Sequence, residues 1–257
     1  FAVIGLVIGE IASSLFCIQY FTHGKSFSRI HFTFKRSITH FKELTKLSLP
    51  LTANRILLNI LQSIEAISIP IRLQQYGYSS SDALSSYGVL TGMALPCILF
   101  PSAVTNSVST MLLPTVTEIQ TSKNWKHLKK LIQKVTFACF SMGFACCLFF
   151  LLFGNQIGNF LFHSRLAGDF LLTLSWICPF LYTNSTLVSV INGLGNTTIS
   201  FCINTLGLLI RIISVIVFIP QIGINGYLWG LLASQLAVSI LSVLYLKHHI
   251  TKWELAN

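Results

Sequence analysis

The sequence predicts an all-α fold, a polytopic membrane helix bundle of about seven transmembrane helices, and three observations carry that expectation. Of the 257 residues, 53% are hydrophobic and only 9% charged, with a mean hydropathy of +0.72, whereas an ordinary soluble domain carries about a quarter charged residues. Uncharged apolar runs of about 18 or more residues recur along the whole length, which marks several membrane crossings and not one buried core. The charges sum to a formal +10 yet lie between those runs, so the basic balance does not point to a nucleic-acid partner.

Apolar runs read against charge clusters and Pro/Gly punctuation give spans at about 1–21, 47–71, 84–112, 132–153, 169–190, 199–219 and 226–246. The first opens with Phe1 already inside an apolar run, without an initiator Met, a basic leader or a cleavage motif. It therefore reads as a span of a sequence cut at its start and not as a signal peptide. The second follows a basic segment and carries a polar stripe. In the third, Pro96, Pro101 and Pro114 each remove a backbone donor and kink the helix. Its Gly88, Gly92, Ser102, Ser107 and Ser109 are residues small enough to let membrane helices approach closely. The last four spans are more regular, with a tight turn at Gly193–Thr198 and a loop at Pro220–Gly226.

Orientation follows from the lysines and arginines. Lys25, Arg29, Lys35, Arg36, Lys42 and Lys46 lie between spans one and two, and Lys123, Lys126, Lys129, Lys130 and Lys134 follow span three. With Lys247 and Lys252 of the tail, one face of a seven-span zigzag holds 13 of the 17 basic residues, against Arg72 and Arg165 on the other. The positive-inside rule makes the loops 22–46 and 114–134 cytoplasmic. The same loops are suited to anionic lipid headgroups.

Four charged residues remain inside spans: Glu10, Arg55, Glu65 and Arg211. Each costs at least about 2.5–3.5 kcal/mol near the bilayer centre, so each is expected to face protein or water. Arg55, Asn59, Gln62 and Glu65 follow one another at spacings of four, three and three, a sector of roughly 120° on a helix. Ile56, Leu57, Ile60, Leu61, Ile64 and Ile67 cover most of the remaining circumference. A stripe of this kind lines a cavity or clamps a bundle interface. In the first reading Arg55 offers a forked donor to phosphate, and Glu65 is a titratable carboxylate that binds a proton or cation. Glu10 is a second candidate coupling carboxylate. Arg211, with Asn204 seven residues before it, either neutralises a carboxylate or snorkels to headgroups.

Other motifs read plainly. Cys17, Cys97, Cys139, Cys146, Cys147, Cys178 and Cys202 all fall in apolar runs with no metal-ligand spacing, and act as small apolar side chains. His23, His31, His40 and His127 sit among lysines without metal-like spacing. Asn192-Gly-Leu-Gly-Asn196 is a turn, because no strand precedes it and no Lys-Ser/Thr follows. Neither a Gly-x-Ser-x-Gly elbow nor a His-Glu-x-x-His helix occurs, so no catalytic residue, metal site or cofactor is assigned and an enzyme is not expected.

Leu49-Pro-Leu-Thr-Ala-Asn-Arg55, Gln62-Ser-Ile-Glu-Ala66, Ile69-Pro-Ile-Arg-Leu73, Tyr87-Gly-Val-Leu-Thr-Gly-Met-Ala-Leu-Pro96 and Phe100-Pro-Ser-Ala-Val-Thr-Asn106 resemble the stage V sporulation protein B-like polysaccharide transport family. Met111-Leu-Leu-Pro114, Asn192-Gly-Leu-Gly195 and Ile219-Pro-Gln-Ile-Gly-Ile-Asn-Gly226 continue the similarity. The family belongs to the superfamily of multidrug, oligosaccharidyl-lipid and polysaccharide exporters, with two six-helix lobes facing a central cavity. The resemblance implies that residues 1–46 are the last helix before the second lobe plus a basic linker, and that 47–257 are the MATE-like second lobe. It also implies a first lobe missing from this chain and two further helices after Asn257.

For function the resemblance implies a flippase or exporter in the bacterial plasma membrane. It would move a lipid-linked oligosaccharide or peptidoglycan precursor by alternating access, in cell-wall or spore-cortex synthesis. Arg55 and Arg211 would face the substrate's pyrophosphate. Two alternatives stand beside it: a cation-coupled small-molecule drug exporter of the same fold, and an inactive membrane remnant. A drug antiporter is expected to hold more acids than bases in its spans, whereas these hold two of each.

Overall fold

A computed structural model describes residues 2–23, 34–122 and 125–256, and no strand occurs among the described residues. The chain forms two compact units, Phe1–Ala53 and Asn54–Asn257. The first holds α1 (Ala2–His23) and the start of α2 (Phe34–Tyr76). In the second, α2 is followed by α3 (Ser80–Val89), a π-helical turn (Leu90–Ala94), α4 (Leu95–Leu99) and α5 (Ser102–Thr121). Then come α6 (Trp125–Phe160), α7 (Arg165–Ser175), α8 (Cys178–Gly193), α9 (Thr197–Val217), α10 (Ile219–Ile222) and α11 (Ile224–Ala256).

Among the described residues, five stretches are long and apolar enough to cross a membrane: Arg55–Tyr76, Ser80–Leu99, Trp125–Phe160, Thr197–Val217 and Ile224–His249. The pair α7 and α8, bent by 55°, makes six if it is counted as one span. The chain is a multi-pass membrane protein. The expected first span, 1–21, lies in α1, whose described apolar part is the shorter Val7–Phe16, so a count of seven is not reached.

Three further expectations need correction. The stretch 84–112 is not one span, because the helix breaks between Leu99 and Ser102, where Pro101 has no N–H to give. Upstream, Leu95 N–H bonds to the carbonyl of Leu90 in the π-helical turn, which widens the helix where the ring of Pro96 would meet the carbonyl of Gly92. The stretch 169–190 bends at Trp176–Ile177, just before Pro179 in the first turn of α8. Last, the basic segments are largely not loops. Residues 34–46 are the start of α2, and Lys126, Lys129, Lys130 and Lys134 ride on α6. Hydropathy marks where a helix leaves the apolar phase, not where it ends. Residues 24–33, with Lys25 and Arg29, and Lys123 lie outside the described residues.

In the second unit two apolar cores form at different heights. One gathers Ile69, Leu73, Ile98, Phe170, Leu174, Tyr182, Val215 and Leu228. The other gathers Leu112, Val116, Leu128, Leu187, Ile191, Ile203, Val238 and Leu246. On α8 the first core ends at Tyr182 and the second begins at Leu187; on α11 the corresponding residues are Leu231 and Val238. Between them the residues are polar: Asn184 and Ser185 on α8, Ser234 and Gln235 on α11, Asn204 and Arg211 on α9, and Ser102 and Asn106 on α5.

Close helix contact depends on glycines other than those expected. A Cβ on Gly88 or Gly92 would meet nothing within 4 Å, and Ser107 is exposed, although Ser102 and Ser109 are buried. The helices instead touch at Gly143, where a Cβ would lie 2.6 Å from Pro179 Cα, and at Gly158, where it would lie 2.5 Å from Gly168 Cα. At Gly230 a Cβ would stand 2.2 Å from Ser214 Cβ, and the Ser214 hydroxyl, so placed, donates to the carbonyl of Gly226 at 2.7 Å.

A polar cavity at mid-bundle as the candidate functional site

The inner and outer faces of α2 follow directly from its sequence. Ile56, Ile60, Ile64, Ile67 and Ile71, spaced by three or four, are exposed and present an apolar stripe suited to acyl chains. On the opposite side Glu65, Ile69 and Leu73 are buried and Leu58 and Leu61 half-buried. Arg55, Asn59 and Gln62 prolong this inner side towards the N-terminus, but there the neighbouring helices no longer cover it and all three are exposed.

Gln62 and Leu58 border a cavity of about 430 Å³ that occupies the polar level between the two cores. Its polar lining comes from five helices: Gln62 on α2, Asn106 on α5, Asn184 on α8, Asn204 and Arg211 on α9, and Gln235 on α11. A second cavity of about 190 Å³ shares Arg211, Gln235, Leu99 and Leu181 with it.

Glu65 and Arg211 meet beside this space. Arg211 Nε donates to Glu65 Oε1 at 2.7 Å and Nη2 donates to Oε2 at 2.5 Å, the forked geometry that suits guanidinium and carboxylate. Glu65 is 3% exposed and Arg211 23%, so the carboxylate is sealed while the guanidinium reaches the cavity wall. Buried Tyr227 stands beside the pair, and Tyr87 lies within its electrostatic reach. Both oxygens of Glu65 are engaged, and the positive charge of Arg211 is answered inside the protein.

The rest of the cavity is therefore neutral, built of amides and hydroxyls. Asn184, 6% exposed, donates from Nδ2 to the backbone carbonyl of Gln235 at 3.0 Å and to Gln235 Oε1 at 2.7 Å. The backbone carbonyl fixes which end of the amide is nitrogen, since a carbonyl only accepts. Asn184 Oδ1 then faces no donor, an arrangement that costs about 1–3 kcal/mol when buried. Around it the helices are tied by hydroxyls: Ser109 Oγ donates to Ser185 Oγ at 3.2 Å, Ser189 Oγ donates to the carbonyl of Ser109, and Tyr182 donates to the carbonyl of Ile98 at 2.7 Å. That last carbonyl lies at the helix break before Pro101, where the regular ladder ends.

Of the residues singled out from sequence, Gln62 and Arg211 line the cavity, Glu65 lies behind it bound to Arg211, and Arg55 and Asn59 are exposed outside its lining. Glu10 is exposed on α1, in the first unit. Asn106, Asn184 and Gln235 were missed. Their signal was present: each is an amide inside an apolar run, but none shares a helix face with a charged residue as Asn59, Gln62 and Asn204 do. Among the described residues no group of three His, Cys, Asp or Glu side chains is placed to hold a metal ion, and Cys97, Cys139, Cys146, Cys147, Cys178 and Cys202 are free thiols.

Comparison with known proteins places this architecture. The model of the MatE family matches residues 55–217, more than half of the chain and all of α3 to α9. This chain belongs to the MatE family. The MatE chain is similar to stage V sporulation protein B of Bacillus subtilis (strain 168), with 25% identity over 245 residues, covering 93% of this chain and 47% of that protein. It is also similar to sporulation protein YkvU of the same organism, with 24% identity over 135 residues, covering 52% of this chain and 30% of that one. The MatE chain thus spans at most about half the length of these curated relatives. No solved structure matches it.

Proposed function

We propose that the chain is one lobe of a MATE-like exporter or flippase in a bacterial plasma membrane that moves a lipid-linked oligosaccharide or peptidoglycan precursor. A facing lobe would complete the transport path, and rocking of the two lobes would alternate access. The observation that carries the reading is the mid-bundle cavity. A polar chamber at the level where hydrocarbon is most hostile to it is kept when a polar cargo needs it.

The chemistry of that chamber favours sugar over phosphate on this side of the path. A saccharide presents many hydroxyls, each both donor and acceptor, which suits a wall of amides. Arg211 is occupied by Glu65, so a pyrophosphate would draw instead on the exposed Arg55. Any coupling through Glu65 would require the ion pair to open. Similarity to two sporulation proteins supports a role in cell-wall or spore-cortex synthesis, and the basic segments suit anionic lipid headgroups.

The test is translocation of a fluorescent undecaprenyl-linked oligosaccharide by the full-length protein in vesicles. Asn184→Ala and Gln235→Ala are expected to slow translocation about tenfold, as for loss of one well-made polar contact, while helicity is preserved. Unchanged rates in both variants would remove the cavity from the transport path.

A further inference from the structure

Glu65 and Arg211 differ in access. Arg211 lines both the cavity of about 430 Å³ and the adjoining chamber of about 190 Å³, whereas Glu65 lines neither. The guanidinium therefore stands between the open space and the carboxylate, with Nε turned to Oε1 and Nη2 to Oε2. Anything that reached Glu65 from the cavities would have to take the place that the guanidinium fills.

The surroundings make that place a seat for positive charge. In the smaller chamber Leu99, Leu174, Ile177, Leu181 and Leu231 are aliphatic, and Tyr227 and Gln235 are neutral. No carboxylate lines either cavity. Tyr227 of α11 stands beside the pair and Tyr87 of α3 lies within its electrostatic reach, but neither side chain brings a positive charge. A carboxylate sealed at 3% exposure needs a cation at contact distance. Two kinds of cation meet that need: one that diffuses in from water, such as Na⁺, and one carried on a side chain. They differ in what they can do. A diffusing ion enters and leaves along its own gradient and can drive a transport cycle, while a guanidinium moves no farther than its side chain reaches and carries no charge across the membrane.

We infer that Arg211 is a tethered counter-ion filling a latent monovalent-cation seat at Glu65, so that this lobe is not driven by a free cation binding to that carboxylate. The two oxygens of Glu65 form the seat, and the Tyr227 hydroxyl and water from the chamber complete it once the guanidinium is gone, an all-oxygen set of the kind that hard cations take. The inference rests on the transport reading for what it says about coupling. The seat itself is tested by ion occupancy without translocation, so either can fail without the other.

Thermal unfolding of the full-length protein in micelles, in sodium chloride or in choline chloride of equal strength, tests it, since choline is too bulky for the space that a guanidinium leaves. Wild type and Glu65→Gln should respond to sodium equally, because neither offers the seat. Arg211→Ala should gain a sodium response, its unfolding midpoint rising by about 1–3 °C for each tenfold of sodium above the dissociation constant. Arg211→Lys, which keeps a charge on the side chain, should gain none, and Glu65→Gln combined with Arg211→Ala should lose the gain. A wild-type sodium response that Glu65→Gln abolishes would mean that a free ion already reaches the carboxylate, and it overturns the inference. So does an Arg211→Ala protein with no added response, one that fails to fold in sodium as it does in choline, a gain in Arg211→Lys, or a gain that survives loss of the carboxylate.

Discussion

Glu65→Gln, Arg211→Gln and the combined variant isolate the ion pair at the heart of the second unit. Two charge-assisted hydrogen bonds, at 2.7 and 2.5 Å, are worth about 1.5–3 kcal/mol each. Removing one partner of a buried pair costs about 3–5 kcal/mol because the survivor is left uncompensated. The two losses should differ. Without Glu65, the guanidinium, 23% exposed, turns to the cavity and recovers some hydration, so Glu65→Gln should cost about 3 kcal/mol, the lower end of that range. Without Arg211, the carboxylate is stranded at 3% exposure, and Arg211→Gln should approach about 5 kcal/mol. The double variant has no stranded charge and should fall well short of the sum, with a coupling energy above about 2 kcal/mol. Unfolding in mixed micelles, followed by tryptophan fluorescence, gives all four corners of the cycle. Additivity within about 0.5 kcal/mol, or equal losses in the two single variants, would refute the picture of a sealed carboxylate clamped by a half-accessible guanidinium.

Three further outcomes are expected. Tyr182→Phe removes the donor from the Ile98 carbonyl at the helix break and should destabilise the protein by about 1–3 kcal/mol; an unchanged unfolding midpoint would show that water or another donor replaces it. Gly230→Ala would drive a Cβ to within 2.2 Å of Ser214 Cβ and should cost about 1–3 kcal/mol or more through overpacking, while Gly92→Ala, with nothing within 4 Å, should be neutral or stabilising by the helix propensity gained. In a bilayer, single cysteines at Asn59 and Gln62 should react with a water-soluble maleimide much faster than cysteines at Ile60 and Ile67. Equal rates would contradict a wet inner side and an apolar outer side of α2.

Much of the architecture was legible because hydrocarbon is an exacting solvent. Any run without charges long enough to cross it had to be a helix, and the isoleucine stripe of α2 had to lie opposite Glu65. The breaks were harder to see. Pro101 was visible as a kink but not as a full interruption, and the 55° bend before Pro179 left no trace in hydropathy, which averages over such a turn. Helix ends were misjudged where Lys126 to Lys134 continue α6 in polar surroundings. Which glycines make contact depends on how each helix is rotated towards its neighbours, so Gly88 and Gly143 look alike in sequence and differ entirely in space. At the candidate site, Glu65 and Arg211 stood out as isolated charges, but their meeting across 146 positions is tertiary information. Asn184 was passed over since, unlike Asn59 and Gln62, it has no charged neighbour on its own helix to draw attention to it.

The π-helical turn at Leu90–Ala94 has a mechanical consequence. Such a turn stores one residue more than regular winding would use, so the helix holds slack beside its proline. Taking up that slack would rotate Ser80–Val89 by about 100° and slide it by about 1.5 Å relative to Leu95–Leu99, at the expense of few backbone bonds. Tyr87 would swing away from the vicinity of Glu65 with that rotation. The extra residue thus sits where a twist of a single segment would be felt by the charged pair.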